Sequence, residues 1–443
     1  MSLRAEERAP LDAEAFARRL AGRGEPEWLL EERLRAWERY LASELPAANA
    51  EGWRETNLAA LGLSLDGLEP LAPPAGTPAE AGLPEELAPL AEAAGRGEAA
   101  LLRERDGRVE AAPGPGAPAG VRFLPLAEAV AEGGEELRPR LFGEAWSEES
   151  KLDLLERAAW SGGFYLHVPR GLRAAQPLLY LAWLEHTEAG AVAHSVIVLE
   201  PEAEATVVVV AAGRGAGERP GVHLHGVEVY AGEHARLRFV GLQLLGEGVF
   251  GFARRRARLA AGSSVEWILG EFGARLSRSG FRSELLGEGA VSRAALAFLG
   301  RGGQHLDFPG EMVHRGRRTS SEMAVRGVLF DEARSIFRGL THILRGAKSA
   351  SAYQREGTLL MSPAARGDAI PSLVIDENEV QAGHAAAAGK VDEEQLFYLE
   401  SRGIPPEEAR RLVVSGYFQP LLERLPEGAL RESFERSIHR KLG

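Results

Sequence analysis

His384 is the side chain in this sequence whose surroundings most favour chemistry. It follows Gly383 and precedes a run of small residues, Ala385 to Ala388 and Gly389. A neutral imidazole is a competent ligand for iron and other transition metals. An imidazole among such small neighbours is either packed by another chain or reachable by a ligand. The residues alone leave these two alternatives open.

The other histidines form two weaker groups. His223 and His225 are two residues apart, so on a strand they share one face and could bind a metal. Because no third ligand is identifiable near them, a polar ladder on the protein surface is the favoured interpretation. His305, His314 and His342 fall on separate predicted strands, and stacking of those strands could bring them together.

The composition argues against several classes of function. The net charge of -12 disfavours a nucleic-acid-binding protein, because phosphate binding needs a basic surface. With no cysteine, the chain by itself can form no disulfide, no thiolate zinc site and no all-cysteine iron–sulfur site. It also has no Walker A, Gly-x-Ser-x-Gly or His-Glu-x-x-His motif. The first residues include acids and lack an apolar h-region, and the most apolar run, Ala205 to Ala212, is too short to span a bilayer. We therefore expect a soluble, cytoplasmic protein.

A repeated pattern in the centre of the chain determines the predicted fold. From about residue 192 to residue 380, short Gly, Ala and Ser corners followed by alternating apolar residues recur about every thirty residues. No helical period fits between the corners, so each crossover must itself consist of strands and turns. In a parallel β-helix, equivalent strands of successive coils stack about 4.8 Å apart. A β-sandwich is the alternative, but the chain has no Asn-Gly hairpin signal.

The predicted fold is therefore mainly β, a parallel β-helix with α-helical regions before and after it. We divide the chain into an N-terminal helical region (1–62), a Pro/Ala/Gly-rich linker-like region (63–118), a lead-in with a short helix (119–163), the β-helix core (164–390) and a C-terminal helical region (391–443).

The C-terminal region has two possible roles. Asp392 is placed to cap a helix that Gly403 ends. Leu430, Phe434 and their successors at four-residue intervals then predict a last amphipathic helix with a strongly charged outer face. These helices could close the end of the β-column, since a solenoid needs a cap, or they could dock a partner.

Several segments resemble the SufB/SufD family of iron–sulfur cluster assembly proteins, and its SufD members most closely. The resemblance covers nearly the whole chain and is weakest from about residue 63 to residue 118. The segments are Glu25 to Arg33, Trp53 to Thr56, Ala159 to Gly171, Ser335 to Gly339, Ala352 to Arg355, Leu359 to Ser362 and Pro371 to Ile404.

This resemblance implies a right-handed parallel β-helix and a place in a complex of SufB, SufC and SufD. In that complex the chain would be a non-enzymatic scaffold subunit, with ATP hydrolysis carried out by the ABC-type ATPase SufC. Charged outer faces and the family's arrangement suggest residues on the last two helices as candidates for docking the ATPase. These candidates are Tyr417, Phe418, Leu421, Arg431, Phe434 and Arg440.

One departure from the family pattern concerns the candidate metal ligand. Where many relatives read Lys-Cys-Ser-His-Gly, this chain reads Gln381-Ala-Gly-His-Ala385. The histidine matches and the cysteine does not, so the chain cannot be the main thiolate donor. The resemblance implies that His384 contributes a nitrogen ligand to a transient cluster at the interface with SufB. No cofactor is expected to bind stably to this chain alone.

Two alternative functions remain open at this stage. The chain could form a SufB/SufD-like homodimer without a SufB partner. It could also be a β-helix enzyme acting on carbohydrates, although seven Trp and seven Tyr, with at least three of the Trp in the N-terminal helices, make an aromatic sugar platform unfavourable.

Overall fold

Two long sheets face each other across a filled interior. A computed structural model describes residues 11–442 except 22, 48, 66–82, 113–115, 148–149, 186–189 and 214–220. The helices are α1 (Ala13–Leu20), α2 (Glu27–Ala42), α3 (Ala88–Gly95), α4 (Leu126–Leu137), α5 (Lys151–Ala159), α6 (Glu393–Ser401), α7 (Pro406–Leu422) and α8 (Ala429–Leu442).

The first ten strands are β1 (Ala100–Arg105), β2 (Arg108–Ala111), β3 (Arg122–Pro125), β4 (Phe164–Val168), β5 (Leu178–Leu184), β6 (Gly190–Leu199), β7 (Glu204–Gly213), β8 (Gly221–Ala231), β9 (Arg236–Leu245) and β10 (Val249–Leu259). The other nine are β11 (Ser264–Glu271), β12 (Leu276–Leu285), β13 (Val291–Gly300), β14 (His305–His314), β15 (Ser320–Leu329), β16 (Arg334–Ile343), β17 (Ser351–Leu360), β18 (Arg366–Ile375) and β19 (Gln381–Lys390).

From β4 onward, the strands alternate between the two sheets. The ten-stranded sheet A runs β19-β17-β15-β13-β11-β9-β7-β5-β1-β2, and the nine-stranded sheet B runs β18-β16-β14-β12-β10-β8-β6-β4-β3. Each strand from β4 to β17 pairs in parallel with the strand two places later in the chain. This arrangement confirms the predicted parallel β-helix, and it excludes the sandwich of antiparallel sheets.

The corners between the sheets form a ladder of their own. Seven corner residues have a positive φ. Each of the first six donates its N–H to the carbonyl of the residue just before the next member, at 2.8 to 2.9 Å, and the last, Ser349, donates to the Glu379 carbonyl at 2.7 Å. Neighbouring members are between 27 residues (Gly262 to Gly289) and 32 residues (Glu202 to His234) apart. The members are Gly171, Glu202, His234, Gly262, Gly289, Arg318 and Ser349. This ladder explains the recurrence of small and polar residues in the sequence, because the left-handed conformation disfavours bulky side chains.

Large aromatic side chains fill the lumen between the sheets. Phe239, Trp267, Phe298, Phe308 and Phe337 are all fully or almost fully buried there. Burial of this kind is the main contribution to the stability of the coils, at about 25 cal/mol for each Å² of apolar surface removed from water.

Helices cover the outer face of each sheet. The N-terminal helices and α5 pack on sheet B, where Val192, Val196 and Phe250 join their cluster. Helices α3, α7 and α8 pack on sheet A against Val208, Ile268 and other buried residues. The idea that the C-terminal helices close the end of the column is therefore wrong, because they lie along its side.

The two ends of the β-helix differ. At the first end, β2 pairs antiparallel with β1 and β3 pairs antiparallel with β4, so both sheets are finished there by reversed strands. At the last end, β18 and β19 are the outermost strands of their sheets. Among the described residues, no other strand lies beyond them, and we call this the open end.

The linker-like range of the sequence contains ordered elements. Residues 66–82, which belong to this range, lie outside the described residues. Helix α3 and the hairpin of β1 and β2 occupy later parts of the range, and β1 pairs with β5. Sheet A therefore begins before residue 118.

A buried carboxylate fastens the segment after α2 to sheet B. Asp307 is fully buried, accepts a hydrogen bond of 2.6 Å from the Thr56 hydroxyl and forms ion pairs with Arg278 and Arg338. The Arg278 guanidinium lies 3.9 Å from the ring centroid of Trp53, in a cation–π contact. The segment from Trp53 to Thr56 is thus held by one charge that serves three partners.

We expect Asp307→Ala to release this segment. Two partly buried guanidinium groups would lose their shared, fully buried counterion, a loss that typically costs up to about 3–5 kcal/mol. The measurement is amide hydrogen exchange at Thr56, whose N–H bonds to the Trp53 carbonyl at 2.8 Å. Asp376→Ala is the matched control, since Asp376 pairs with His342 in an exposed position worth about 1 kcal/mol or less. Equal exchange in the two variants would contradict the role given to Asp307.

Candidate functional site

The open end collects the exposed apolar surface of the molecule. Every large hydrophobic side chain recorded as exposed in the described part of the chain lies between residues 353 and 412. Four are on the last strands and three on α6 and α7: Tyr353, Ile370, Val374, Ile375, Phe397, Tyr398 and Leu412. Concentrated exposed apolar surface usually marks an interaction site.

His384 lies on β19, the outermost strand of sheet A, and is exposed. Its register partner in the coil below is Gln354, so the two side chains leave the sheet on the same face. Gln354 is buried and its amide donates to the Thr341 hydroxyl in sheet B at 2.8 Å. Because this bond crosses the lumen, His384 stands above the lumen of the β-helix at its open end.

A polar layer lies in the lumen below His384. Besides Gln354 and Thr341, it contains Glu356, whose carboxylate accepts a hydrogen bond of 2.5 Å from the Thr358 hydroxyl. Burial raises the pKa of Glu356 above its usual range, and the hydrogen bond from Thr358 partly offsets this effect. Glu356 could not be predicted as part of this layer, since nothing in the linear sequence shows that it lies one coil below Ala386.

The other histidines do not form a metal site. His223 and His225 are buried rather than on the surface, and His225 Nε2 lies 2.9 Å from the Ser195 hydroxyl. The ladder interpretation is therefore wrong. Burial lowers the pKa of His223 to about 4, which keeps its imidazole neutral.

The three remaining histidines are not brought together. His305 and His314 lie at opposite ends of β14, about 30 Å apart at a rise of about 3.3 Å per residue. His305 contacts Thr56, His314 contacts Thr319 and Ser321, and His342 contacts Asp376. No group of three or more His, Asp or Glu side chains suited to a metal ion occurs in the described ranges.

A buried histidine that the sequence analysis did not identify joins the N-terminal part to the β-helix. His194 lies 2.7 Å from the Glu156 carboxylate on α5 and 2.9 Å from the Glu228 carboxylate on β8. Burial acts to lower the pKa of His194, but the hydrogen bonds to the two glutamates outweigh it and raise the pKa. Phe142 stacks on the imidazole at 4.0 Å between ring centroids. The cluster holds α5 and the loop at Phe142 on sheet B.

Half of the candidate docking residues are interior. Phe418 and Phe434 are fully buried and Leu421 is almost so, all three against the outer face of sheet A. They cannot contact a partner while α7 and α8 remain in place. This corrects the docking set, because the apolar stripe of these helices faces the β-helix.

Of the other three candidates, Tyr417 and Arg431 reach the surface in part, and Arg440 is exposed. The Tyr417 ring packs against this same cluster, and the Arg326 guanidinium lies 5.0 Å from its centroid. Arg431 donates to the Leu425 carbonyl at 2.7 Å, and Arg440 pairs with Glu86 at 2.5 Å. The exposed charges of α7 and α8 therefore remain the accessible part of the predicted docking surface.

Helix α6 has no buried residue. Asp392 caps it as predicted, with its carboxylate accepting from the Glu394 amide at 3.0 Å. Phe397 is 72% exposed and Tyr398 57% exposed. An isolated helix of this length is marginally stable in water, so packing against a partner would stabilise α6.

The fold and the open end define a class of protein, the parallel β-helices that have one finished end and one end available for association. The chain matches the family model described as SUF system FeS cluster assembly, SufBD core domain, over residues 182–417. It is 34% identical to the iron–sulfur cluster assembly protein SufD of Bacillus subtilis over 296 residues, which cover 67% of this chain and 68% of that protein.

Staphylococcal proteins give similar matches. A SufBD family protein of Staphylococcus saprophyticus is 30% identical over 311 residues, covering 69% of this chain and 66% of the relative. One from Staphylococcus epidermidis is 29% identical over 310 residues. The chain belongs to the SufB/SufD family of iron–sulfur cluster assembly proteins, and within it resembles SufD. This confirms the resemblance noted in the sequence.

None of the helices in the described part of the chain is long and apolar enough to cross a membrane.

We expect Phe434→Ala to destabilise the packing of α8 on sheet A by about 3–5 kcal/mol, because a buried aromatic ring would leave a cavity. Phe397→Ala, the same change at an exposed ring, should alter stability by less than about 0.5 kcal/mol. Hydrogen exchange in α8 and thermal unfolding measure the two effects. Similar losses in both variants would contradict the interior position of Phe434.

Proposed function

We propose that this chain is a scaffold subunit of a SufB–SufC–SufD-like complex for iron–sulfur cluster assembly, and that it acts through its open end. The observation that carries this proposal is the open end itself. There, two unpaired edge strands, exposed apolar side chains and His384 occur together. Family membership supports the assembly role.

The partner at the open end is a SufB-like chain. Edge strands present rows of unpaired N–H and C=O groups, which another chain can pair with. Residues Ala385 to Ala388 are all exposed and carry only methyl groups, so a second backbone can come close. Exposed Val374 and Ile375 on β18 would be covered by the same association.

His384 contributes a nitrogen ligand to the nascent cluster at this interface. The thiolates that hold most of a cluster must come from the partner, because this chain has no cysteine. The cluster is the cargo of the complex and is not a resident cofactor of this chain.

The ATPase docks on the C-terminal helical region. The exposed charges of α7 and α8 and the exposed rings of α6 supply the contact, and ATP hydrolysis belongs to the SufC-like partner. Deletion of residues 405–443 is unsuited to testing this, because it would also uncover the apolar outer face of sheet A. Phe397→Ala avoids this problem and should weaken co-elution with the ATPase.

A second copy of this chain is the alternative occupant of the open end. A strand edge can pair with its own copy about a two-fold axis, so the homodimer is favoured when no SufB-like chain is present. The two arrangements share the surface and differ in the source of thiolates.

We expect Ala388→Pro to weaken pairing at the open end by at least about tenfold, which corresponds to about 1.4 kcal/mol. Gln381 donates its N–H inward to the Ala350 carbonyl, so alternation directs the Ala388 N–H outward. Proline removes that donor without touching the ladder to β17.

Ala388→Val is the control, since valine keeps the N–H and favours strands. Size-exclusion chromatography with light scattering, on the chain alone and with the SufB-like partner, measures the effect. If Ala388→Pro associates as tightly as the control while folding normally, the edge of β19 is not the interface.

We expect His384→Ala to lower cluster formation on the purified complex severalfold while complex assembly and thermal stability stay nearly unchanged. The substitution leaves a run of small residues intact and removes only the imidazole. Bound iron and sulfide after reconstitution measure the effect. Normal cluster content would limit His384 to a structural role, and a complex that fails to assemble would indicate a packing role.

A further inference from the structure

We infer that a cavity on the outer face of sheet B binds a small organic anion, a carboxylate or a phosphate ester that carries one aromatic ring. The cavity has a volume of about 220 Å³ and is bounded by sheet B, helix α5 and Trp53. The described residues of its wall lie on β8, β10, β12, β14 and β16, on α5 and its N-cap Ser150, and at Trp53. The cavity is therefore separate from the open end and from the function proposed there.

The size of the cavity limits the ligand to a small molecule. A protein cavity of about 150 Å³ takes up benzene, and sites for drug-sized ligands typically measure about 300–1,000 Å³. A volume of about 220 Å³ accordingly suits one aromatic ring with a short charged group. Because the cavity is partly open to solvent, such a ligand can enter without displacing an element of the fold.

One part of the cavity wall is apolar. Leu152 and Phe252 are buried, and Trp53, Pro309 and Leu340 are half-buried. Covering such surface with a ring is favourable by about 25 cal/mol for each Å² of apolar area removed from water. The apolar part of the wall therefore favours a ligand with a ring over a bare inorganic anion.

The other part of the wall is cationic. Five arginines at alternating positions of β10, β12 and β16 line the cavity, namely Arg254, Arg256, Arg278, Arg282 and Arg338. The described acids of the wall are Asp153, which pairs with Arg254, Glu311, which pairs with Arg282, and Glu156, which is bonded to His194. In a chain with a net charge of -12, this wall thus carries more cations than anions and favours an anionic ligand.

Gly280 provides the space between the guanidinium groups. It lies between Arg278 and Arg282 on the same face of β12, and it pairs in register with Arg254 on β10. A Cβ at this position would come within 3.0 Å of Pro309 Cγ, so the proline ring closes the floor beside it. Because Gly280 has no side chain, the arginines surround an open space instead of forming a packed row.

Carboxylates that are not part of the described wall hold several of the arginines in place. Arg278 and Arg338 both pair with Asp307, and Arg282 pairs with Glu284 at 2.8 Å. A guanidinium offers five N–H donors in a planar fork, which is more than one carboxylate accepts. Guanidinium groups positioned in this way suit bidentate contacts with a further carboxylate or phosphate group.

The experiment is an NMR titration of the full-length chain that follows the resonances of four probes. Phenyl phosphate and benzoate carry both a ring and a negative charge. Inorganic phosphate has only the charge, and benzyl alcohol has only the ring. Comparison of benzoate with phenyl phosphate distinguishes a carboxylate ligand from a phosphate ester.

Two variants change the cavity in different ways, and a third is the control. Arg282→Gln removes one charge from the wall, and Leu340→Phe fills part of the apolar side while keeping every charge. Arg258→Gln is the matched control for Arg282→Gln. Arg258 lies on the same face of sheet B, is 25% exposed against 27% for Arg282 and also pairs with Glu284, but it is not part of the described wall.

We expect the tighter of phenyl phosphate and benzoate to bind at least about tenfold more tightly than inorganic phosphate or benzyl alcohol, since each of these lacks one part of the ligand. Arg282→Gln should lower that affinity about tenfold through the loss of a charge-assisted contact. Leu340→Phe should also weaken binding, whereas Arg258→Gln should leave it nearly unchanged. Added salt should weaken binding, because ions screen partly exposed charges.

Three results would overturn the inference. If none of the probes binds the wild-type chain, the cavity is not a site for this class of ligand. If inorganic phosphate binds as tightly as phenyl phosphate, the apolar part of the wall takes no part in recognition. If Arg282→Gln and Arg258→Gln have equal effects, or if Leu340→Phe leaves the affinity unchanged, the ligand binds outside the cavity.

Discussion

Coil-to-coil hydrogen bonding is the constraint on which this molecule depends. Each coil satisfies its backbone by pairing with the next, both along the strands and at the corners, where left-handed residues such as Glu202 and His234 donate to the following corner. Nothing in this pairing pattern limits the number of coils, so the strands of a terminal coil keep unpaired groups unless another element covers them. The first end is finished by antiparallel β2 and β3, whereas the last coil leaves the outward groups of β18 and β19 unpaired. The proposed function is a consequence of that unequal ending.

The position of the C-terminal helices is a second reason why the two ends of the β-helix differ. A solenoid can protect its last coil by folding a helix over it, and the C-terminal helices of this chain are long enough to do so. They instead run back along sheet A, where Phe418 and Phe434 pack on apolar side chains of earlier coils. Helix α6, which connects the last strand to them, keeps all its side chains outside the core. The C-terminal region thus covers the outer face of sheet A and leaves β18 and β19 at the open end uncovered.

The architecture could be predicted from the sequence because the coil repeat is a local property of the chain. The corners at Glu204, His234 and Ser264 are visible in the sequence, since the left-handed turn and the alternating strand follow each other directly. The cap of α6 at Asp392 was predictable for the same reason. Which face of a strand is buried could not be predicted in the same way. His223 and His225 were expected on the surface, yet they point into the lumen. Two residues of a strand show their common face, but only the neighbouring coils decide which face is the interior.

The candidate site shows the same limit more strongly. His384 was found because its small neighbours are adjacent to it in the sequence. Gln354 and Glu356 were not found, since they are about thirty residues earlier and become neighbours only through the stacking of β17 on β19. On the proposed pairing, the partner's thiolates would meet the His384 imidazole across one interface, and the division of ligands between two chains would itself keep the site incomplete until they associate.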